Sequence, residues 1–234
     1  MKIAITRPRE KADETIKRVE NKGWKAVIIP GVEIIPRAEE EVKKEIGRLE
    51  EYHWLILTSA SGAEIMLQYF GEELKKVKLA VIGPKTKKVL EEKGVNVDLV
   101  PKEYKGENLA EELISRGVDG TKILVARASI GREVLIERLR RHAEINEVVL
   151  YDVAQPRDIP DSKIMDGVDA VIFTSSQSVK NLYKAWGEEF GKLLKNKKIC
   201  AIGPITAGTL RGLGVRVDVM PEEYTVDACL EALR

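Results

Sequence analysis

Two stretches decide the fold: Leu55-Ile56-Leu57-Thr58-Ser59 and Val171-Ile172-Phe173-Thr174-Ser175, which stand 116 residues apart. Each is a short unbroken apolar run that ends on hydroxyl side chains. Such a run, with no polar alternation, suits a strand covered on both faces, and Thr-Ser behind it suits a turn into a helix. The likeness continues downstream. Gly71-Glu72-Glu73 recurs as Gly187-Glu188-Glu189 at the same spacing. Four further residues then enter the second copy, and Ile82-Gly83-Pro84-Lys85-Thr86 returns as Ile202-Gly203-Pro204-Ile205-Thr206 at a spacing of 120. Gly94-Val95, Val97-Asp98, Pro101 and Glu103-Tyr104 return as Gly214-Val215, Val217-Asp218, Pro221 and Glu223-Tyr224. Upstream the match thins to Arg7 with Arg127 and Pro36 with Pro156. The chain is an internal duplication.

In the first copy the pattern predicts strands at 3–6, 26–29, 54–57, 79–82 and 97–99. It predicts helices at 10–21, 61–70, 85–93 and 108–115. Ala12, Ile16 and Val19 keep helical spacing, and Gly23 supplies a stop. Alternating strands and helices with continuously apolar strands make the class α/β: two similar doubly wound parallel-sheet domains. The repeat leaves the boundary open. A tandem division falls near 117–120. An exchanged one crosses at 32–36 and 152–156, two extended segments that each end on proline; paired antiparallel, they would form a hinge.

Composition narrows the function. The 39 basic and 38 acidic residues are interspersed and leave a net charge of +1, which lacks the concentrated basic face of a nucleic-acid binder. No apolar run approaches the roughly 18–20 residues that span a bilayer. Ile3-Ala4-Ile5 reads as a strand and not as an export signal, so the expected location is the cytoplasm. Cys200 and Cys229 sit in apolar periodic segments, as buried thiols do. No Cys/His group has zinc spacing. His53 and His142 lie beside charged helical stretches, which places them at the surface.

The polar residues cluster where ligands bind in open α/β sheets, beyond the carboxyl ends of the strands. These are Ser59 and Ser61 after one strand, and Ser175, Ser176 and Gln177 after its counterpart. Gly83 and Thr86 follow the next strand, and Gly203 and Thr206 follow its counterpart. Ser61-x-x-Glu64 has the form of a capping box. Helix amino ends at such turns hold unpaired N–H groups and favour anions. The same residues also serve as ordinary caps and turns. Neither a P-loop nor a G-x-G-x-x-G fingerprint is present, so nucleotide binding has no support.

Ile5-Thr6-Arg7-Pro8, the Leu57-Thr58-Ser59 and Phe173-Thr174-Ser175 turns, the paired Ile-Gly-Pro-x-Thr turns and Val149-Leu150-Tyr151 together resemble the uroporphyrinogen-III synthase family, in order and over essentially the whole chain. The resemblance implies the exchanged arrangement. One domain would comprise 1–31 plus 157–234 and the other 37–150, joined by a two-stranded antiparallel linker at 32–36 and 151–156. It implies the substrate hydroxymethylbilane, a linear tetrapyrrole, with no metal or organic cofactor. The expected state is a monomer with no nucleic-acid or membrane partner. It implies a cleft containing Ser59, Thr86, Tyr151, Ser175 and Thr206, with Arg7, Arg127 and Lys85 as charged contacts. Tyr151 is the candidate to assist the departing hydroxyl. It also breaks the repeat, since Pro30 or Gly31 stands at the matching position. Two other classes fit the domain pattern: a hinged small-molecule-binding protein without chemistry, and a sugar-nucleotide transferase.

Overall fold

The computed structural model describes residues 1–131 and 133–234, and of Glu10 only its backbone. In chain order the elements are β1 (Lys2–Thr6), α1 (Ala12–Glu20), β2 (Lys25–Ile28), β3 (Glu33–Pro36), α2 (Glu39–Ile46), β4 (Trp54–Leu57), α3 (Ala60–Phe70), β5 (Lys78–Val81), α4 (Pro84–Glu91) and α5 (Gly106–Ser115). There follow β6 (Lys122–Ala128), α6 (Val134–Leu139), β7 (Glu144–Ala154), β8 (Ala170–Phe173), α7 (Ser176–Trp186), α8 (Glu189–Leu194), β9 (Lys198–Ala201), α9 (Pro204–Gly212) and α10 (Val226–Ala232).

The chain forms two compact units, Met1–Ile34 with Ala154–Arg234, and Ile35–Val153. The first holds a four-stranded sheet in the order β2-β1-β8-β9. All its pairs are parallel, as Ile3 opposite Ala170 and Val171 opposite Ile199 show. The second holds a five-stranded sheet in the order β3-β7-β6-β4-β5, in which β7-β6-β4-β5 are parallel. Each sheet thus draws its strands from both copies of the repeat. The fold is α/β with two parallel sheets.

The apolar runs behave as their unbroken pattern predicts. Every residue of β4 and β8 is buried. In the first unit the period-two alternation of a strand splits them between two cores. Ala4, Val171, Phe173 and Ala201 face α7, α8 and α9, through Leu182, Phe190 and Leu210. Ile3, Ile5, Ile172 and Cys200 face α1 and α10, through Val19, Cys229 and Leu230. In the second unit Trp54, Ile56, Ile123 and Val125 pack on α5 and α6. Gly71 and Gly187 close α3 and α7 at matching positions, with φ of 49° and 54°, a conformation that a side chain resists.

One predicted strand is not formed. Residues 97–99 make only the single bridge of Ala80 to Leu99, and the second copy repeats it between Cys200 and Val219. The cause is an aspartate. Asp98 Oδ2 accepts the Leu79 N–H at 2.8 Å, and Asp218 Oδ2 accepts the Ile199 N–H at 2.8 Å. A side chain takes the place of the ladder, and pairing stops there. Within 32–36, read from sequence as an extended linker, Glu33–Pro36 forms the edge strand β3 beside β7. Residues 151–154 complete β7, which is 11 residues long and irregular opposite Arg127 and Ala128.

Candidate functional site

Four strand-to-helix turns, two in each unit, carry nine of the predicted residues, and they are of two chemical kinds. At α3 and α7 the turn caps itself. Ser59 Oγ accepts the Gly62 N–H and Ser175 Oγ accepts the Ser178 N–H, each at 3.0 Å. The capping box read at Ser61 and Glu64 is therefore displaced. Helix α3 starts at Ala60, so its cap is Ser59, and Ser61 lies inside the first turn. Ser176 and Gln177 likewise fall inside α7, where Gln177 Nε2 donates along the helix to Asn181 Oδ1 at 2.9 Å.

At α4 and α9 the turns are bare. Gly83 and Gly203 occupy the cap position with no side chain to offer, and Pro84 and Pro204 follow at the first helical position. Thr86 and Thr206 come two residues later and are only 5% and 4% exposed. Among the described residues neither hydroxyl has a hydrogen-bond partner, although no buried polar atom is left orphaned, so both oxygens retain access to solvent. Two helix amino ends thus pair an uncapped backbone with an uncommitted hydroxyl, a donor arrangement suited to a carboxylate.

Tyr151 lies on β7 with 5% of its surface exposed. Its Oη is 2.8 Å from Ser59 Oγ, which joins two predicted residues 92 positions apart. Burial raises the phenol pKa above its ordinary value, the Ser59 hydroxyl opposes that shift, and the Glu64 carboxylate adds to it. The phenol is therefore neutral at physiological pH. The equivalent turn of the other unit has no such ring. Ser175 Oγ there meets Ser178 Oγ at 2.7 Å, and Gly31 packs directly on Ser178.

The predicted arginines are engaged. Arg127 holds Glu147 through Nε at 3.0 Å and a terminal nitrogen at 2.9 Å. Arg7 is buried and lies 3.9 Å from Glu14. His53 and His142 lie at the surface; His53 accepts the Lys122 N–H, and His142 meets Asp119. Both cysteines are buried and free. Among the described residues there is no group of three or more His, Cys, Asp or Glu placed to hold a metal.

Sequence reasoning missed two contacts. Thr6 Oγ1 accepts the Thr174 N–H at 3.1 Å while Thr174 Oγ1 donates to the Thr6 carbonyl, locking β1 to the turn after β8. Asn181 Nδ2 donates to the Gly31 carbonyl at 2.8 Å. Partners 168 and 150 residues apart leave no local signal.

Residues 13–231 match the family model for Uroporphyrinogen-III synthase HemD. The chain belongs to the uroporphyrinogen-III synthase family. A provisionally named uroporphyrinogen-III synthase of Methanothermobacter thermautotrophicus is 35% identical over 99% of this chain and 96% of its own. The uroporphyrinogen-III synthase of Synechococcus elongatus is 29% identical over 99% of this chain and 93% of its own. Two solved structures share the fold. The Helicobacter pylori uroporphyrinogen-III synthetase superposes with a TM-score of 0.66 at 18% identity, covering 100% of this chain and 99% of that one. A mutant uroporphyrinogen III synthase of Thermus thermophilus gives 0.64 at 17%, covering 100% and 97%. As a uroporphyrinogen-III synthase family member the chain is a hydro-lyase. None of the helices among its described residues is long and apolar enough to cross a membrane.

Proposed function

We propose that this chain closes hydroxymethylbilane to uroporphyrinogen III, and that the turns at Gly83 and Gly203 bind the substrate carboxylates. The observation that carries this is the family match over residues 13–231. Each ring of the substrate bears an acetate and a propionate. A flexible polyanion of this kind needs many donors rather than a high net charge. The amino ends of α4 and α9, which no side chain caps, supply part of that set, and Thr86 and Thr206 add a hydroxyl each.

In the reaction the hydroxyl on the terminal carbon of ring A leaves as water, taking up one proton. The electrophile so formed is attacked by the substituted carbon of ring D. The spiro intermediate opens and recloses with ring D inverted, and a proton is lost as the pyrrole is restored. Pyrrole supplies most of the reactivity. The protein must fix the conformation and help one hydroxyl depart.

The Ser59–Tyr151 pair suits the second task. Two hydroxyls in contact hold two protons, and their mutual bond uses one. Whichever oxygen donates, the other O–H remains to bond to the leaving group. The pair does this without carrying charge. Support for it is the uncharged phenol and its break from the repeat, where Gly31 stands in the first copy.

The test is product analysis with protein dialysed against chelator and no nucleotide added. Separation of the isomers should give uroporphyrinogen III. Only the uninverted isomer, which the substrate forms unaided, would overturn the assignment.

A further inference from the structure

We propose that Tyr104 and Tyr224 are pyrrole-stacking residues, each presenting its ring beside the bare helix end of its own unit to the flat face of a substrate pyrrole. The proposal rests on the substrate class assigned above.

Both tyrosines are 60% exposed, an unusual outlay for an aromatic side chain, and they occupy the same place in the repeat. Their exposure is built by the backbone. The Lys105 N–H donates to the Glu103 carbonyl at 2.7 Å, and the Thr225 N–H donates to the Glu223 carbonyl at 2.8 Å. Each bond closes a three-residue turn with tyrosine at its apex. An apex side chain is turned away from the chain on either side, which leaves each ring largely exposed.

The turns also place the two residues. A methyl group added to Gly203 would lie 3.4 Å from both Cγ and Cδ1 of Tyr224, and one added to Gly83 would lie 4.0 Å from Cβ of Tyr104. Each tyrosine therefore stands against the cap glycine of α9 or α4. There an uncapped helix end meets the hydroxyl of Thr206 or Thr86, residues more than nine-tenths buried whose hydroxyls have no hydrogen-bond partner among the described residues. A carboxylate bound at that end carries its pyrrole into van der Waals range of the ring. Pyrroles are electron-rich, flat and poorly hydrated on their faces, so an exposed aromatic ring is the surface that suits them. The two places differ in one neighbour. Exposed Ile205 follows Pro204 where Lys85 follows Pro84, so the rim of the first unit is the more apolar.

The test compares Tyr104→Leu, Tyr224→Leu, Tyr104→Phe and Tyr224→Phe with the full wild-type chain. Steady-state kinetics with hydroxymethylbilane, titration with uroporphyrin III by its visible absorption, and melting temperature are read for each. A stacking role predicts that each Leu variant raises KM and the porphyrin dissociation constant about three- to tenfold, with kcat within about twofold. Melting temperature should hold, and the Phe variants should match wild type. Leu variants with wild-type KM would overturn the role while leaving the activity standing. Phe variants as impaired as Leu would overturn it too, because the hydroxyl and not the ring would then matter. A Leu variant that melts early but binds normally would make the ring a turn staple. A wild type that forms no inverted isomer would remove the substrate assignment and the stacking role together.

Discussion

Ser59 Oγ and Tyr151 Oη lie 2.8 Å apart, and the same serine oxygen accepts the Gly62 N–H at 3.0 Å. One side chain therefore does two things. It begins α3 and it holds a phenol that would otherwise be a buried hydroxyl without a partner. The bond ties the end of β7 to the turn after β4, so any group positioned by either element feels the other.

Tyr151→Phe keeps the ring and removes one hydroxyl. The helix cap survives, since Gly62 still donates to Ser59. The loss of one buried hydrogen bond should cost about 0.5–1.5 kcal/mol of stability. Turnover should fall roughly tenfold or more, at or below the low end of the ~10²–10⁴-fold that positioned proton transfer contributes, because pyrrole supplies most of the reactivity itself. The residual product should still be the inverted isomer, because conformation rather than proton supply selects it. Wild-type turnover in the variant would take Tyr151 out of the mechanism.

The raised pKa of this phenol gives a pH dependence whose sign is fixed. An unfolded tyrosine releases its proton near pH 10, and the folded Tyr151 holds its proton to higher pH. In the window above about pH 10 the unfolded chain binds fewer protons, so stability falls as pH rises. Urea midpoints of wild type and Tyr151→Phe should therefore draw together between pH 8 and pH 11. A gap that stays constant over that range contradicts the buried-phenol account.

Much of this was legible in the sequence, and the reasons are local. Leu55–Leu57 and Val171–Phe173 are continuous because their sheets are covered on both sides, so their apolar pattern alone identifies them. The repeat then shows which turns correspond. Legibility ends where a partner is distant or a boundary moves by a residue or two. Asp98 and Asp218 look like ordinary polar residues in a short strand, and only the folded chain shows them capping Leu79 and Ile199. Ser61 fits a capping box as well as Ser59 fits a cap; only the start of α3 at Ala60 and the Gly62 N–H bond decide between them. Glu103-Tyr104 was visible as a repeat, but the tight turn that exposes the ring was not.

Thr206→Val separates capping from substrate contact. Gly203 holds the cap position and the Thr206 hydroxyl has no protein partner among the described residues, so its loss should leave the melting temperature unchanged. On the proposed function the hydroxyl contacts substrate, and kcat/KM should fall several-fold with the change seen chiefly in KM. A loss of stability at unchanged KM would make the hydroxyl structural.

The thiols should be silent. A hydrogen bond with Cys229 and burial together hold the Cys200 thiol far above the ordinary thiol range, and thiolate is the reactive form. An aromatic disulfide reagent should label neither cysteine in the native chain and both in denaturant. Rapid labelling of the native chain at pH 8 would show that the interior between β9 and α10 opens easily.

The last prediction tests why Gly31 interrupts the repeat opposite Tyr151. A Cβ at position 31 would lie 2.5 Å from Cβ and 2.9 Å from Cα of Ser178, distances that packed atoms do not tolerate. The Gly31 carbonyl is also held by Asn181 Nδ2 at 2.8 Å, so this backbone cannot withdraw without breaking a buried bond. Gly31 is therefore glycine because α7 approaches the chain there. In the other unit Tyr151 stands over Gly62, so the glycine has moved to the helix and the bulk to the strand. Gly31→Ala should destabilise by about 1–3 kcal/mol or more, as overpacking does. Adding Ser178→Gly removes the nearer obstacle but leaves the Cα, so the double variant should recover part of the loss. Its non-additivity in urea melts is the signature of direct contact. Additive losses would mean that the two positions do not press on each other, and the volume exchange between the units would fail as the explanation of why Tyr151 has no counterpart.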